Sequence, residues 1–302
     1  MSTCLAFPGH GGAIAEAAYE WSRHSAHARR LLQQAAHETG VPVTHMTHAS
    51  GIALRDTAVF QPCMTAICVA AWLDLDSRLS PALVVGHSLG EIAACVAAGA
   101  MPVEAAVPLA ALRGRLMSRA ASESGGAMVA IEADSEDDAQ RAVSEARRAG
   151  QIVIAAHNAP DQWVLSGATA ALRAVASRFR PRLVATGGPW HSSALAPYEE
   201  EFRGALDRAV EREPRVPLLC NRTGDVVTGR SELVTALAEQ FTHRVEWVRC
   251  MGTVEQCGIA RVITVGPSRT LRSLIRRNLP ELPLFGIESP ADLSQVNEGA
   301  AA

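Results

Sequence analysis

Apolar runs and amphipathic stretches alternate along the first 124 residues. The run TCLAF at 3–7 predicts a short buried strand, which ends at the glycine-rich turn PGHGG. Helical periodicity follows over 14–39 and again over 57–75. Residues 82–85 predict a second buried strand, and the small residues at 91–99 predict a helix directly after it. This alternation is typical of an α/β domain.

The pattern changes between about residues 125 and 187. Four strand-like runs, MVAIEA, QIVIAAHN, WVLSG and RLVAT, enclose two helical stretches in the order β-α-β-β-α-β, which is that of the ferredoxin-like motif. We therefore predict a ferredoxin-like small subdomain over 125–187, inserted into a larger α/β-hydrolase-like domain made of 1–124 and 188–302. The second part of the larger domain is predicted to contain helices at 197–213, up to 241 and at 268–278, strands at 216–220 and 261–265, and a fraying polar tail after 290.

Composition and charge disfavour several classes of protein but do not indicate a reaction. The 302 residues carry a net charge of −3 and 48% hydrophobic side chains, with no basic excess for binding nucleic acid. Neither a secretory signal pattern nor an uninterrupted apolar run of about 18 residues is evident, so we expect a cytoplasmic protein that does not use a membrane. Seven cysteines without a C-x-x-C pair favour neither a disulfide framework nor a metal site.

A serine between two glycines is the first candidate for catalysis. Ser88 lies in GHSLG, between a predicted strand and a predicted helix, which is the pattern of a nucleophile elbow. The same pattern also fits a buried turn in which Ser88 only caps the helix. If Ser88 is a nucleophile, a general base must lie within hydrogen-bond distance to take its proton.

Two histidines are candidates for this base. In an α/β-hydrolase esterase the histidine comes late in the chain, where His243 is available, and His10-Gly11-Gly12 mimics the oxyanion loop of such enzymes. However, no acidic residue stands out as a partner for His243. The alternative is His191 in GGPWHSS, directly after the predicted subdomain, where a junction between subdomains favours a cleft.

Together, these motifs resemble those of the malonyl-CoA:acyl carrier protein transacylases and of the acyltransferase domains of polyketide synthases. The resemblance extends from FPG at 7–9 to VGP at 265–267 and includes the inserted subdomain. It implies that Ser88 carries the acyl group and that His191 in PWH is its base. It also implies that Arg113 in LRGR binds the free carboxylate of a malonyl-type acyl group, to which a planar guanidinium is suited.

The resemblance assigns further residues to the site. Asn158 and Gln240 fall where the family has polar residues around its centre, although a structural hydrogen bond would explain each equally well. Backbone N–H groups of His10 and Leu89 are expected to form the oxyanion hole. His10 replaces the glutamine of the family's Gly-Gln-Gly loop. Trp190 is bulkier than the family's residues before the base, which implies a small acyl pocket unless the ring has swung aside.

These implications lead to a specific expectation. We expect a discrete, monomeric, trans-acting acyltransferase that moves an acyl group, malonyl in the first instance, from coenzyme A to the phosphopantetheine thiol of an acyl carrier protein. An acyl-serine is the intermediate, the pathway is polyketide or fatty-acid biosynthesis, and neither a metal nor a bound cofactor is expected. The alternatives left open are carrier-to-carrier transfer of an unusual acyl group, an editing thioester hydrolase, a plain esterase and a non-catalytic carrier-binding module.

Overall fold

Two β-sheets organise the chain. The computed structural model describes residues 2–11, 14–75, 79–175, 179, 181–184 and 187–294. Within them, the larger sheet has the strand order β10-β9-β1-β2-β7-β8, and its neighbouring strands are parallel except for the antiparallel pair β7 and β8. Its strands are β1 (Thr3–Phe7), β2 (Leu83–Gly86), β7 (Leu218–Leu219), β8 (Val226–Val227), β9 (Arg261–Val265) and β10 (Leu284–Ile287).

Helices cover the larger sheet, which explains why its central strands are almost continuously apolar. The helix of residues 57–75 has the bounds that the sequence predicts. Although it is long and apolar enough to cross a membrane, 83% of its most apolar stretch is buried inside the protein, so we describe it as the central core helix. The helices of the larger domain are α1 (Ile14–His24), α2 (Ala26–Thr39), α3 (Val43–Met46), α4 (Thr57–Leu75), α5 (Gly90–Ala97), α6 (Val103–Ser124), α9 (Glu199–Ala209), α10 (Arg230–Thr242), α11 (Trp247–Gln256) and α12 (Arg269–Asn278).

The smaller sheet is antiparallel and has the strand order β4-β5-β3-β6. Two helices pack on it around a separate apolar cluster that includes Ile131, Trp163 and Leu165. The order confirms the predicted fold class, a large α/β domain with a ferredoxin-like small subdomain; the exact domain boundaries remain a prediction. The elements are β3 (Gly126–Glu132), α7 (Glu136–Ala146), β4 (Ile152–Ala159), β5 (Gln162–Ala168), α8 (Thr169–Val175) and β6 (Arg182–Val184).

One helix prediction was wrong in its continuity. The sequence predicts a single helix over 14–39, whereas the structure has two helices that meet at Ser25. Ser25 has an extended backbone, and its Oγ accepts a hydrogen bond from the N–H of Ala28 at 3.0 Å. A serine in this position satisfies a free N–H at the start of a new helix, which favours the break over continuation. The ends of the predicted segment RLVAT and of the second helical stretch before it lie outside the described residues, as does the tail after Ser294.

Strand β4 of the smaller sheet is hydrogen-bonded to a segment of the larger domain next to the cleft. The N–H of His157 donates to the carbonyl of Val245 at 2.9 Å, and the N–H of Val245 donates to the carbonyl of Ala155 at 3.0 Å. These backbone hydrogen bonds fix the small sheet relative to the segment between α10 and α11. The cleft between the two sheets is therefore bounded on one side by β4 and on the other by the carboxyl ends of β1 and β2.

Candidate active site

Ser88 lies in a tight turn between β2 and α5, with a left-handed backbone φ of 51°. A Cβ atom at Gly86 would lie 2.1 Å from the backbone of Gly90, and one at Gly90 would lie 2.2 Å from the carbonyl oxygen of Phe7. Neither contact is sterically possible, so both positions of the Gly-x-Ser-x-Gly motif require glycine. The turn is the strained geometry of a nucleophile elbow, and it turns the Ser88 side chain into the cleft.

His191 is the base candidate that the structure places against this serine. Its Nε2 lies 2.8 Å from Ser88 Oγ, and its Nδ1 lies 2.8 Å from the backbone carbonyl oxygen of Gln240. Because a carbonyl can only accept, Nδ1 carries the proton and Nε2 is left to accept the proton of Ser88. Burial, together with the positive charge of Arg113, lowers the pKa of His191 to about 3, so the imidazole is neutral and available as a base.

The other base candidate lies elsewhere. His243 is exposed at the end of α10, where its Nδ1 lies 2.9 Å from the carbonyl oxygen of Glu239. The layout of a plain esterase, with the late histidine paired to Ser88, is therefore not the one that the structure brings together. The lack of an acidic orienting residue is also explained, since the Gln240 carbonyl occupies the place that a carboxylate has in a Ser-His-Asp triad.

Arg113 reaches Ser88 from α6. One guanidinium nitrogen donates to Ser88 Oγ at 3.1 Å and to Gln240 Oε1 at 3.3 Å, and the other donates to Gln61 Oε1 at 2.8 Å. Its side chain is buried, and among the residues that the structure describes no carboxylate lies within salt-bridge distance of it. Burial lowers its pKa to about 10, which leaves it charged at neutral pH. The site therefore holds a buried cation beside the serine that a carboxylate-bearing acyl group could pair with.

Two residues that sequence reasoning missed support this centre. Asn221 Oδ1 accepts a hydrogen bond from the N–H of Ser88 at 2.6 Å, and its Nδ2 donates one to the carbonyl of Gly86 at 2.7 Å. Asn221 therefore holds the backbone on both sides of His87 in place. Glu91, buried in the first turn of α5, accepts the Asn221 N–H at 2.8 Å and the Gln240 Nε2 at 2.6 Å. The only sequence signal for Glu91 is a single acid in the otherwise apolar stretch EIAACVA, and Asn221 has no motif.

The predicted oxyanion donors flank the elbow. Leu89 directly follows Ser88 at the N-terminus of α5, and in the described part of the chain its N–H has no hydrogen-bond acceptor. His10 lies on the loop after β1, and this loop is pressed against the elbow, since a Cβ at Gly9 would lie 2.3 Å from the carbonyl oxygen of His87. Leu89 is thus next to the serine, and His10 lines the same cleft on a loop that contacts His87; their role as oxyanion donors remains a prediction.

Three aromatic side chains form one wall near the serine, and we refer to them as the aromatic wall: His10, Phe60 and Trp190. The ring of His10 stacks on Phe60 with 4.0 Å between centroids and meets Trp190 edge-on at 5.1 Å. Trp190 is buried, and both His10 and Trp190 face the cleft. The Trp190 ring has therefore not swung out to solvent, and it lines the cleft that contains Ser88.

Of the two polar residues assigned by resemblance, Gln240 contacts the serine and its partners directly, and Asn158 does so only through His87. Gln240 contacts Ser88, Arg113 and, through its carbonyl, His191. Asn158 Oδ1 accepts a hydrogen bond from His87 Nε2 at 2.8 Å and lines the cleft. Gln240 is thus hydrogen-bonded directly to residues of the proposed reaction. Asn158 is hydrogen-bonded to His87, the residue before Ser88.

The cleft that contains these residues has a volume of about 580 Å³. Ser88 and His191 line it, together with small and apolar residues of β3, β4 and β5. Three cations line it as well: Arg182, Arg269 and Arg277. Among the described residues, no group of three or more His, Cys, Asp and Glu side chains is arranged to hold a metal ion. The arrangement can form and break an ester at Ser88 with His191 as the proton carrier.

Comparisons with known proteins find a matching family, similar sequences and similar structures. The family model described as "Acyl transferase domain" matches residues 12–271. The malonyl CoA-acyl carrier protein transacylase of Mycobacterium bovis is 31% identical over 258 residues, which cover 83% of this chain and 84% of the relative. The phenolphthiocerol synthesis polyketide synthase type I of Mycobacterium marinum is 32% identical over 248 residues, 79% of this chain and 11% of that protein. The crystal structure of the Synechocystis malonyl-CoA:ACP transacylase superimposes with a TM-score of 0.87 at 29% identity, covering 98% of this chain and 100% of that one.

Proposed function

Since the chain belongs to the acyl transferase domain family and is an acyltransferase, we propose that it transfers a malonyl group from coenzyme A to the phosphopantetheine thiol of an acyl carrier protein. The observation that carries the choice of malonyl is the buried Arg113 guanidinium, 3.1 Å from Ser88 Oγ and without a carboxylate partner among the described residues. A malonyl group attached at Ser88 brings its free carboxylate into this position, where a charge-assisted pair is strong.

The first half-reaction forms the acyl-enzyme. Ser88 Oγ attacks the thioester carbonyl while its proton moves to His191 Nε2, and the resulting oxyanion is held by the N–H groups of Leu89 and His10. When the intermediate collapses, the carbon–sulfur bond breaks and His191 returns the proton to the departing thiolate of coenzyme A. The product is a malonyl ester on Ser88 and a free CoA thiol.

The second half-reaction is the reverse with a different thiol. The phosphopantetheine thiol of the carrier gives its proton to His191 and attacks the ester, and Ser88 leaves with the proton restored to Oγ. The Gln240 carbonyl holds the His191 ring in one orientation through both halves, because it bonds to Nδ1 while Nε2 gains and loses the proton. The phosphopantetheine belongs to the substrates, so no cofactor of the enzyme takes part.

We propose that the carrier belongs to a polyketide or a fatty-acid assembly line that this enzyme serves in trans. Of the relatives named above, one is a malonyl CoA-acyl carrier protein transacylase and another is a polyketide synthase. His10 in place of the family's glutamine, stacked on Phe60 and against Trp190, supports a specialised acyl pocket and hence the polyketide role.

Intact-protein mass spectrometry tests the proposal. The protein is incubated with malonyl-, methylmalonyl- or acetyl-CoA, and then with a phosphopantetheinylated carrier protein. We expect a malonyl adduct that moves to the carrier in the second step. An adduct lost to water while the carrier stays unloaded would instead indicate an editing hydrolase, and loading only from an acylated carrier would indicate carrier-to-carrier transfer.

A further inference from the structure

Glu91 is a buried acid that the proposed reaction does not use. It lies one turn of helix after Ser88, is 2% exposed, and both of its oxygens accept hydrogen bonds, from the Asn221 N–H and from Gln240 Nε2. The oxygens of a neutral residue could accept hydrogen bonds from these two donors at a lower cost of desolvation. A carboxylate in this place therefore needs a further explanation.

The side chain of Gln240 connects Glu91 to Arg113. Its Nε2 donates to Glu91 Oε2 at 2.6 Å, and the oxygen of the same amide accepts from the Arg113 guanidinium at 3.3 Å. The amide dipole thus points its positive end at the carboxylate and its negative end at the cation. Arg113 in turn donates to Ser88 Oγ. The four side chains form one hydrogen-bonded chain from a buried acid to the nucleophile.

We propose that Glu91 is a positioning residue whose charge, acting through Gln240, offsets that of Arg113 and thereby sets how strongly the site prefers an acyl group with a free carboxylate. The inference rests on the proposed function, because it concerns the acyl group that Arg113 receives. An ionised Glu91 competes with the acyl carboxylate for the same cation. A neutral Glu91 leaves the full charge of Arg113 to the acyl group.

The surroundings of Glu91 make its charge sensitive to pH. Burial is the main cause that raises its pKa to about 8, and the hydrogen bonds of Asn221 and Gln240 and the charge of Arg113 counteract part of this rise. Within the described ranges, three buried thiols also face it: Cys95 on α5, Cys220 after β7 and Cys250 on α11. Burial raises the pKa values of these thiols, so they stay neutral. Arg113, with a pKa of about 10, stays charged where Glu91 titrates.

The sign of the effect follows from these charges. Below the pKa, Glu91 is neutral and the preference for malonyl is greatest. As the pH rises, Glu91 ionises, offsets Arg113 and lowers that preference. The free carboxylate of a malonyl group is ionised at every pH in question, and the two donors share the same coenzyme A, so their other titrations cancel in a ratio.

The test compares malonyl-CoA with acetyl-CoA by the ratio of their specificity constants for loading Ser88. In the wild type we expect this ratio to fall by about fivefold to tenfold between about pH 6.5 and about pH 9, from the Coulomb interaction of a second charge near Arg113. In Glu91→Gln the ratio should be independent of pH and equal to the low-pH value of the wild type, even if both constants fall because Asn221 and Gln240 lose a partner. Glu201→Gln, an exposed acid on α9, is the matched control and should follow the wild type.

A wild-type ratio that does not change with pH overturns the inference, and this measurement stands even if Glu91→Gln fails to fold. Equal losses for both donors in Glu91→Gln, with a ratio that still follows the wild-type curve, would show that Glu91 is structural only. If no malonyl adduct forms on the wild type at any pH, the proposed function itself fails, which is a different result from a flat ratio.

Discussion

The polar centre around Ser88 and the aromatic wall beside it are held in place by different forces. In the centre, Ser88, His191, Arg113 and Gln240 contact one another through directional hydrogen bonds of 2.8 to 3.3 Å. In the wall, the rings contact one another through stacking, and the indole nitrogen of Trp190 is buried without a hydrogen-bond partner among the described residues.

The difference predicts two kinds of mutational effect. A group in the polar centre acts on particular atoms of the reaction, so its loss should remove a chemical step or the binding of one charge. A ring in the aromatic wall only occupies volume, so its replacement should change which acyl group fits while the chemistry continues. Each substitution below tests one side of this division.

Ser88→Ala should have the largest effect. It removes the nucleophile from the polar centre, so we expect no acyl-enzyme with any donor. Intact mass spectrometry after incubation with malonyl-CoA measures the adduct, and circular dichroism checks that the fold is kept. An adduct of unchanged mass on the variant would place the nucleophile elsewhere.

His191→Ala should slow acylation of Ser88 by roughly two to four orders of magnitude, the usual scale for loss of a general base. Single-turnover loading from malonyl-CoA gives the rate. His243→Ala is the matched control, since His243 is exposed at the end of α10, and we expect it to load like the wild type. If His243→Ala were the slower variant, the pairing of Ser88 with His191 would be irrelevant to catalysis.

Arg113→Ala should lower malonyl loading by about tenfold to a hundredfold relative to acetyl loading. The reason is that an acyl carboxylate loses a charge-assisted pair worth about 1.5 to 3 kcal/mol. Arg115→Ala, on an exposed position of the same helix, is the control and should leave both rates unchanged. If Arg113→Ala loses the same factor in loading rate with both donors, Arg113 stabilises the structure and does not bind the acyl carboxylate.

Trp190→Ser should have the smallest effect, and it tests whether a ring of the aromatic wall acts only by occupying volume. We expect the wild type to prefer malonyl-CoA over methylmalonyl-CoA, and the variant to narrow this preference by about tenfold, since one methyl group in a pocket is worth about 1 to 3 kcal/mol. Trp190→Phe keeps a ring beside the acyl group and should keep the preference. If the variant is no longer acylated by either donor, Trp190 is needed for the reaction itself, like the residues of the polar centre.

The chain's own residues make much of this architecture predictable. The strand and helix around GHSLG follow from local apolar patterns and from glycines that permit a left-handed turn, and the β-α-β-β-α-β order follows from the sequence of such patterns. The single error in helix continuity, at Ser25, is also local, because a short polar side chain can cap a new helix without any change in the apolar periodicity around it.

By itself, then, the sequence determined the elbow, the two candidate histidines and many of the helices and strands, because these depend on neighbours a few residues apart. Tertiary structure alone decided that His191, 103 residues from Ser88, is within hydrogen-bond distance while His243 is not. It also decided that a backbone carbonyl orients the base, a role that no side-chain identity can reveal. Asn221 and Glu91 enter the centre through contacts spanning 133 and 149 residues, to Ser88 and to Gln240. Burial, which turns Glu91 and Arg113 into an electrostatic pair, arises only when the strands and helices pack together.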